Sequence, residues 1–109
     1  MDLAKLFEMQ RKLDAHIEKE HPRQEGEDRL AKKILALQVE LGELANESRF
    51  FKYWSHDQEP RTNAVRHKKI DGKYHFDGVY NPLLEEYVDC LHFILSIGNE
   101  INMNEVYED

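Results

Sequence analysis

A chain of 109 residues has room for one modest core but not for two, and it contains no run of about 18 apolar residues that could cross a bilayer. Its formal net charge of −7 argues against duplex DNA or an anionic membrane surface as a partner, since both require basic patches. The N-terminal "MDLAKLFEMQ" lacks the basic and apolar regions of a signal peptide, and the lone Cys90 has no internal disulfide partner, so the expected setting is reducing and cytoplasmic.

The first helical pattern runs from Asp2, a good N-cap, to a stop at Pro22. Leu3, Leu6, Phe7, Leu13 and Ile17 recur at helical spacing, with Gln10 inside the stripe. "HPRQEGED" is polar and contains Pro and Gly, so it reads as a loop. A second pattern follows from about Arg29 to Trp54, with Leu30, Ile34, Leu37, Leu41, Leu44 and Ala45 as its apolar stripe.

From His56 to Pro82 the helical period disappears. In "HKKIDGKYHF", Asp71-Gly72 suits a type I′ turn, with room for a small hairpin around it. Asp77-Gly78 and Asn81-Pro82 are further turn signals. Arg61, Arg66, Lys68, Lys69 and Lys73 make this connection the most basic part of the chain, able to meet phosphate or simply to solvate a loop. The last helix, "LLEEYVDCLHFILSIGNE", begins after Pro82 and carries Leu83, Tyr87, Leu91, Ile94 and Leu95 on its apolar face. The expected fold is therefore a single all-α domain over residues 1–109: a bundle of three main helices, a long loop between the second and third, and completion by dimerisation.

The chemistry concentrates in two acidic pairs. At about 100° per residue, Glu40, Glu43 and Glu47 fall within an arc of about 60° bordering the apolar stripe. Like charges at that spacing repel. Glu86 and Asp89 repeat the arrangement on the last helix. Carboxylates one turn apart on facing helices can supply several oxygens to a hard divalent cation, and Mg²⁺ favours few carboxylates plus waters and substrate phosphates. The bland alternative is a pair of solvated glutamate-rich faces. A di-iron bundle is a poorer fit, because it needs Glu-x-x-His on two helices and the chain offers only Asp89-x-x-His92.

"LALQVELGELANESRFFKYWS" and "LLEEYVDCLHFILSIGNE", with "LFEMQRKLD" near the N-terminus, resemble the all-α, dimeric dUTPases of the MazG-like nucleotide pyrophosphatase superfamily. The resemblance implies that Glu40 and Glu43 are the first pair of Mg²⁺ ligands and Glu86 and Asp89 the second, with Mn²⁺ as the substitute cation. It implies a homodimer that binds dUTP or dUDP and uses a metal-activated water to leave dUMP, while the acidic balance sets the expectation of no nucleic acid or membrane partner. Glu47 would orient that water or support a ligand, or else be a solvated glutamate. Gln10 matches a family glutamine whose amide reads the uracil edge, although a glutamine at a stripe's margin can instead bond backbone.

Phe93 matches the family's base-stacking aromatic, against ordinary core packing. Asn99 matches a nucleoside contact, against a C-terminal cap after Gly98, and Trp54 walls the pocket or joins the core. His92 reads as a partly buried helix residue outside the site. Family members carry a further motif of Lys, Asn, Arg and Tyr past the last helix, to which "NMNEVYED" has no counterpart. Either the chain is a shortened, minimal version, or the phosphate contacts come from the basic connection or another subunit. The reading is a Mg²⁺-dependent dUTP diphosphatase. The alternatives are a broader MazG-type dNTP pyrophosphatase and a non-catalytic helical dimerisation module that keeps the acids.

Overall fold

A computed structural model of the chain describes residues 2–101, so the C-terminal "NMNEVYED" lies outside them. Helix α1 spans Leu3–Glu20, with Asp2 Oδ1 accepting the Lys5 N–H at 3.0 Å. This cap satisfies one of the amide donors that a helix start leaves without a partner. Helix α2 spans Arg29–Ser48, and Asp28 caps it by accepting the Ala31 N–H at 3.0 Å.

The expected continuation to Trp54 does not occur. Arg49 takes a left-handed backbone (φ 61°), which ends a helix without the usual glycine. Ser48 Oγ turns back onto the Ala45 carbonyl at 2.7 Å, and the Arg49 N–H bonds the same carbonyl at 3.0 Å.

Strands β1 (Ala64–Ile70) and β2 (Lys73–Tyr80) form an antiparallel pair. The all-α expectation is thereby corrected: the chain is α+β, with three helices and a two-stranded sheet in the connection read as a loop. Asp71 (φ 51°) and Gly72 (φ 78°) both have positive φ, as a type I′ turn requires. Val65 pairs with Val79 and His67 with Phe76, so β2 carries one extra residue over that interval. Gly78 (φ 104°) lies within it, and Asp77-Gly78 is thus a bulge rather than a chain reversal.

Helix α3 spans Pro82–Glu100. Proline at a first helical position gives up no hydrogen bond, and Asn81 Oδ1 accepts the Leu84 N–H at 2.9 Å. Asn81→Ala is expected to remove about 1 kcal/mol of stability, read as a fall in melting temperature of several degrees. An unchanged midpoint would mean that the cap contributes nothing.

The chain divides into two compact units, one made of residues up to Val39 together with those from Cys90 onward, the other running from Glu40 to Asp89. In the first, Phe7, Cys90 and Leu95 are buried together with the polar Gln10 and Ser96. Glu100 accepts from both ends of the Arg23 fork, at 2.6 and 2.8 Å, and from Lys33 at 3.0 Å. In the second, the Arg61 N–H bonds the Glu47 carbonyl at 2.8 Å and the Arg61 carbonyl accepts the Leu83 N–H at 2.9 Å. Backbone at Arg61 thus ties the end of α2 to the start of α3. Many stripe residues stay open to solvent in the single chain, among them Ile34, Leu41, Tyr87 and Ile94. Among the described residues no helix is long and apolar enough to cross a membrane.

Candidate functional site

Three of the four expected ligands meet in the second unit. Glu40 and Glu43 on α2 and Glu86 on α3 each offer a carboxylate oxygen within 4.8 Å of the others. Glu40 and Glu86 are half-buried and Glu43 is exposed. The Oε2 atoms of Glu40 and Glu86 are both shut off from solvent without a hydrogen-bond partner. Buried carboxylate oxygens in that condition are costly unless a proton or a cation compensates them.

Without a cation, protons take up the strain. Burial first, and then proton sharing and charge from Glu40 and Glu43, push the Glu86 carboxyl up to about 8. At Glu40 the adjoining Glu86 carboxyl favours the ionised form, but burial together with Glu43 and the charge of Asp89 outweighs it and holds the group above its ordinary value. Oxygen-only donors, clustered and short of partners, suit a hard divalent ion such as Mg²⁺. Asp89 is exposed and outside the close trio, although its charge bears on Glu40. Glu47 is half-buried near the end of α2, and its carboxylate is not part of the trio.

The nucleoside candidates distribute differently. Gln10 is 4% exposed in the first unit, and its margin-of-stripe alternative, bonding to backbone, is not what occurs. Its Nε2 donates to Asp14 Oδ1 at 2.9 Å, while its Oε1 sits 2.6 Å from His92 Nδ1. A carboxylate can only accept, so it orients the amide. The Gln10 oxygen therefore faces His92, which donates from Nδ1. Ser96 Oγ completes the network by donating to Asp14 Oδ2 at 2.8 Å.

Asn99 lies within α3 rather than capping it; its Nδ2 donates to the Phe7 carbonyl at 3.1 Å, and its Oδ1 is buried without a partner. It lines a cavity of about 460 Å³ with Asp14, Arg11, Arg29 and Lys33 among its walls. Phe93 is half-buried. Trp54 is 65% exposed in the second unit, edge-on to Phe51 and Tyr53 with ring centroids 5.9 and 5.1 Å away, which removes the core reading.

Sequence reasoning left out His92, Asp14 and Ser96. Their signal was present: Asp14 follows Gln10 by four residues and Ser96 follows His92 by four, so each pair shares a helix face. Polar residues repeating one turn apart beside a buried glutamine are partners for it.

A sequence model of a family described as dUTPase matches residues 2–79 and 77–108 of the chain. No curated protein and no solved structure matches it significantly.

Proposed function

The chain belongs to the dUTPase family of nucleotide hydrolases, and on that premise we propose that it is a Mg²⁺-dependent dUTP diphosphatase forming dUMP and pyrophosphate. The observation that carries this reading is the carboxylate trio of two helices with two buried oxygens left without partners. Glu40, Glu43 and Glu86 would hold the cation, with Asp89 adding charge beside them. When bound, Mg²⁺ supplies charge neutralisation and Lewis acidity toward the phosphates.

The residues' own contribution follows from their charge. In the trio, negative charge repels a bare triphosphate, so nucleotide and cation are taken up together. Gln10, Phe93 and Asn99 are assigned to the uracil nucleoside. An amide held donor-inward by Asp14 and acceptor-toward His92 keeps one N–H and one lone pair for a ligand. That pair complements an edge with a carbonyl next to an N–H, as in uracil, and mismatches cytosine, whose ring nitrogen accepts. The exposed apolar residues of α2 and α3 support a homodimer, since a single chain leaves Leu35 61% and Leu84 54% exposed.

The test is release of pyrophosphate from dUTP, dTTP and dCTP with and without Mg²⁺. Hydrolysis of dUTP only with the cation, and of dCTP at least about a hundredfold more slowly, is the expected pattern. Equal rates on all three nucleotides would defeat the base assignment in favour of a broader dNTP pyrophosphatase. Absence of release from any of them would leave a non-catalytic module.

A further inference from the structure

The hairpin of β1 and β2 is chemically unlike the rest of the molecule. Over residues 64–80, Arg66, Lys68, Lys69 and Lys73 face only Asp71 and Asp77, in a chain whose net charge is −7. The pairing His67 with Phe76 and Lys69 with Tyr74 places these four side chains on one face. Tyr74 is 73% and Phe76 67% exposed, and Lys69 Nζ lies 5.8 Å from the Tyr74 ring centroid. Each open ring thus has a basic residue directly across the ladder. On the opposite face are Lys68, Lys73 and His75, with Ile70. The base of the hairpin is anchored in its own unit, where Arg66 donates to Glu85 and stacks over the Tyr80 ring at 4.2 Å.

Hydrophobic payload alone does not account for the alternation. A strand meant to bury its face gathers apolar residues there, whereas this one sets Tyr74 against Lys69 and Phe76 against the imidazole of His67. Residues two apart on a strand lie about 7 Å apart, roughly twice the ~3.4 Å rise of stacked bases. That separation suits bases splayed from a stack, each on its own ring, with the backbone beside Lys69. A duplex offers no free base faces, which fits the overall acidity that already disfavours duplex DNA. A membrane surface would ask for a continuous apolar face rimmed by cations.

We propose that this hairpin is a binding arm for single-stranded nucleic acid, with Tyr74 and Phe76 as stacking platforms and Lys69, on the same face, as the phosphate contact. The proposal is independent of the hydrolase reading, because it uses neither the carboxylate trio nor the Gln10 network.

The probe is a fluorescein-labelled oligo-dT of about 12 nucleotides, titrated with the full chain and read by fluorescence anisotropy. Binding at low salt is expected, with a duplex of the same length bound at least about tenfold more weakly. Replacing both rings, Tyr74→Leu with Phe76→Leu, keeps apolar bulk but removes the stacking faces, and should weaken binding roughly tenfold per ring. Tryptophan at both positions should retain it. Lys69→Gln should weaken binding and lower the salt slope by about one.

Equal affinity for duplex, wild-type affinity in the double leucine variant, or no binding to the oligonucleotide would each overturn the proposal. So would preference for vesicles of anionic lipid. A loss of oligomeric mass in the double leucine variant, seen by light scattering, would show that the face is covered by a second copy instead. Circular dichroism confirms that each variant is folded.

Discussion

Glu43→Gln is expected to lower Mg²⁺-dependent nucleotide hydrolysis by on the order of a hundredfold to a thousandfold, with no loss of melting temperature in the absence of metal. Glu43 is the exposed member of the trio, so removing its charge disturbs no packing and relieves repulsion on Glu40 and Glu86. The metal-free variant should in fact melt slightly higher. Stability and activity thus move in opposite directions, which a merely misfolded variant cannot imitate.

Glu86→Gln should lose activity to a similar extent. Glu8→Gln removes an exposed carboxylate on α1 that pairs with Lys12 at 3.7 Å, and controls for the general effect of one less negative charge. Its rate should match the unaltered protein. Steady-state rates at saturating Mg²⁺, together with melting curves without Mg²⁺, decide the matter. Full activity in Glu43→Gln would remove the carboxylate trio as the metal site.

The acids were legible because a helix turns local spacing into shared direction. Glu40 and Glu43 stand three apart on α2, and the period alone puts them on one face beside the apolar stripe. Their meeting with Glu86 was only half legible: two acid pairs on separate helices pointed to facing carboxylates, but no periodicity says which helices face each other, and the resemblance made the choice. The hairpin was half legible. Asp71-Gly72 announced its turn, but "AVRHKKI" lacks the apolar alternation that marks a strand with one buried face. Both strands are exposed along almost their whole length, and their order comes from the ladder and the turn rather than from burial.

The end of α2 was hidden for a different reason. Arg49 adopts the backbone that a glycine would normally signal, and the run "RFFKYWS" contains no breaker. Aromatic residues at near-helical spacing then extended the apparent helix through a cluster that is exposed in the single chain. The Gln10 network was missed because His92 was judged alone and Asp14 and Ser96 were not weighed with it. A histidine, an aspartate and a serine are each unremarkable on a helix, and only their contact across α1 and α3 gives them a joint role.

The metal-free protein should lose stability as pH rises from about 5 to about 8, and Mg²⁺ should restore it most at the upper end. The sign follows from Glu86, whose carboxyl titrates at about 8 in the folded chain against an ordinary 4.5. Between those values the native state keeps a proton that the unfolded chain has released, so raising the pH favours unfolding. Glu40, also held above its ordinary value, adds in the same direction. Allowing for solvent screening, the loss is on the order of 1–2 kcal/mol, or several degrees in melting temperature.

Below this window the slope reverses. Glu100, bonded by Arg23 and Lys33, is lowered to about 2, and its contribution is lost as pH falls from 4.5 toward that value. Stability without metal therefore peaks near pH 5. A cation that needs the ionised trio binds more tightly as the proton leaves, so its stabilisation grows with pH. In Glu86→Gln the decline above pH 5 should flatten, and the Mg²⁺ effect should shrink at every pH. Melting curves across the range, with and without millimolar Mg²⁺, give both readings at once. A metal-free midpoint that rises toward pH 8, or a Mg²⁺ shift as large in Glu86→Gln as in the unaltered chain, would show that the trio neither holds the anomalous proton nor exchanges it for a cation.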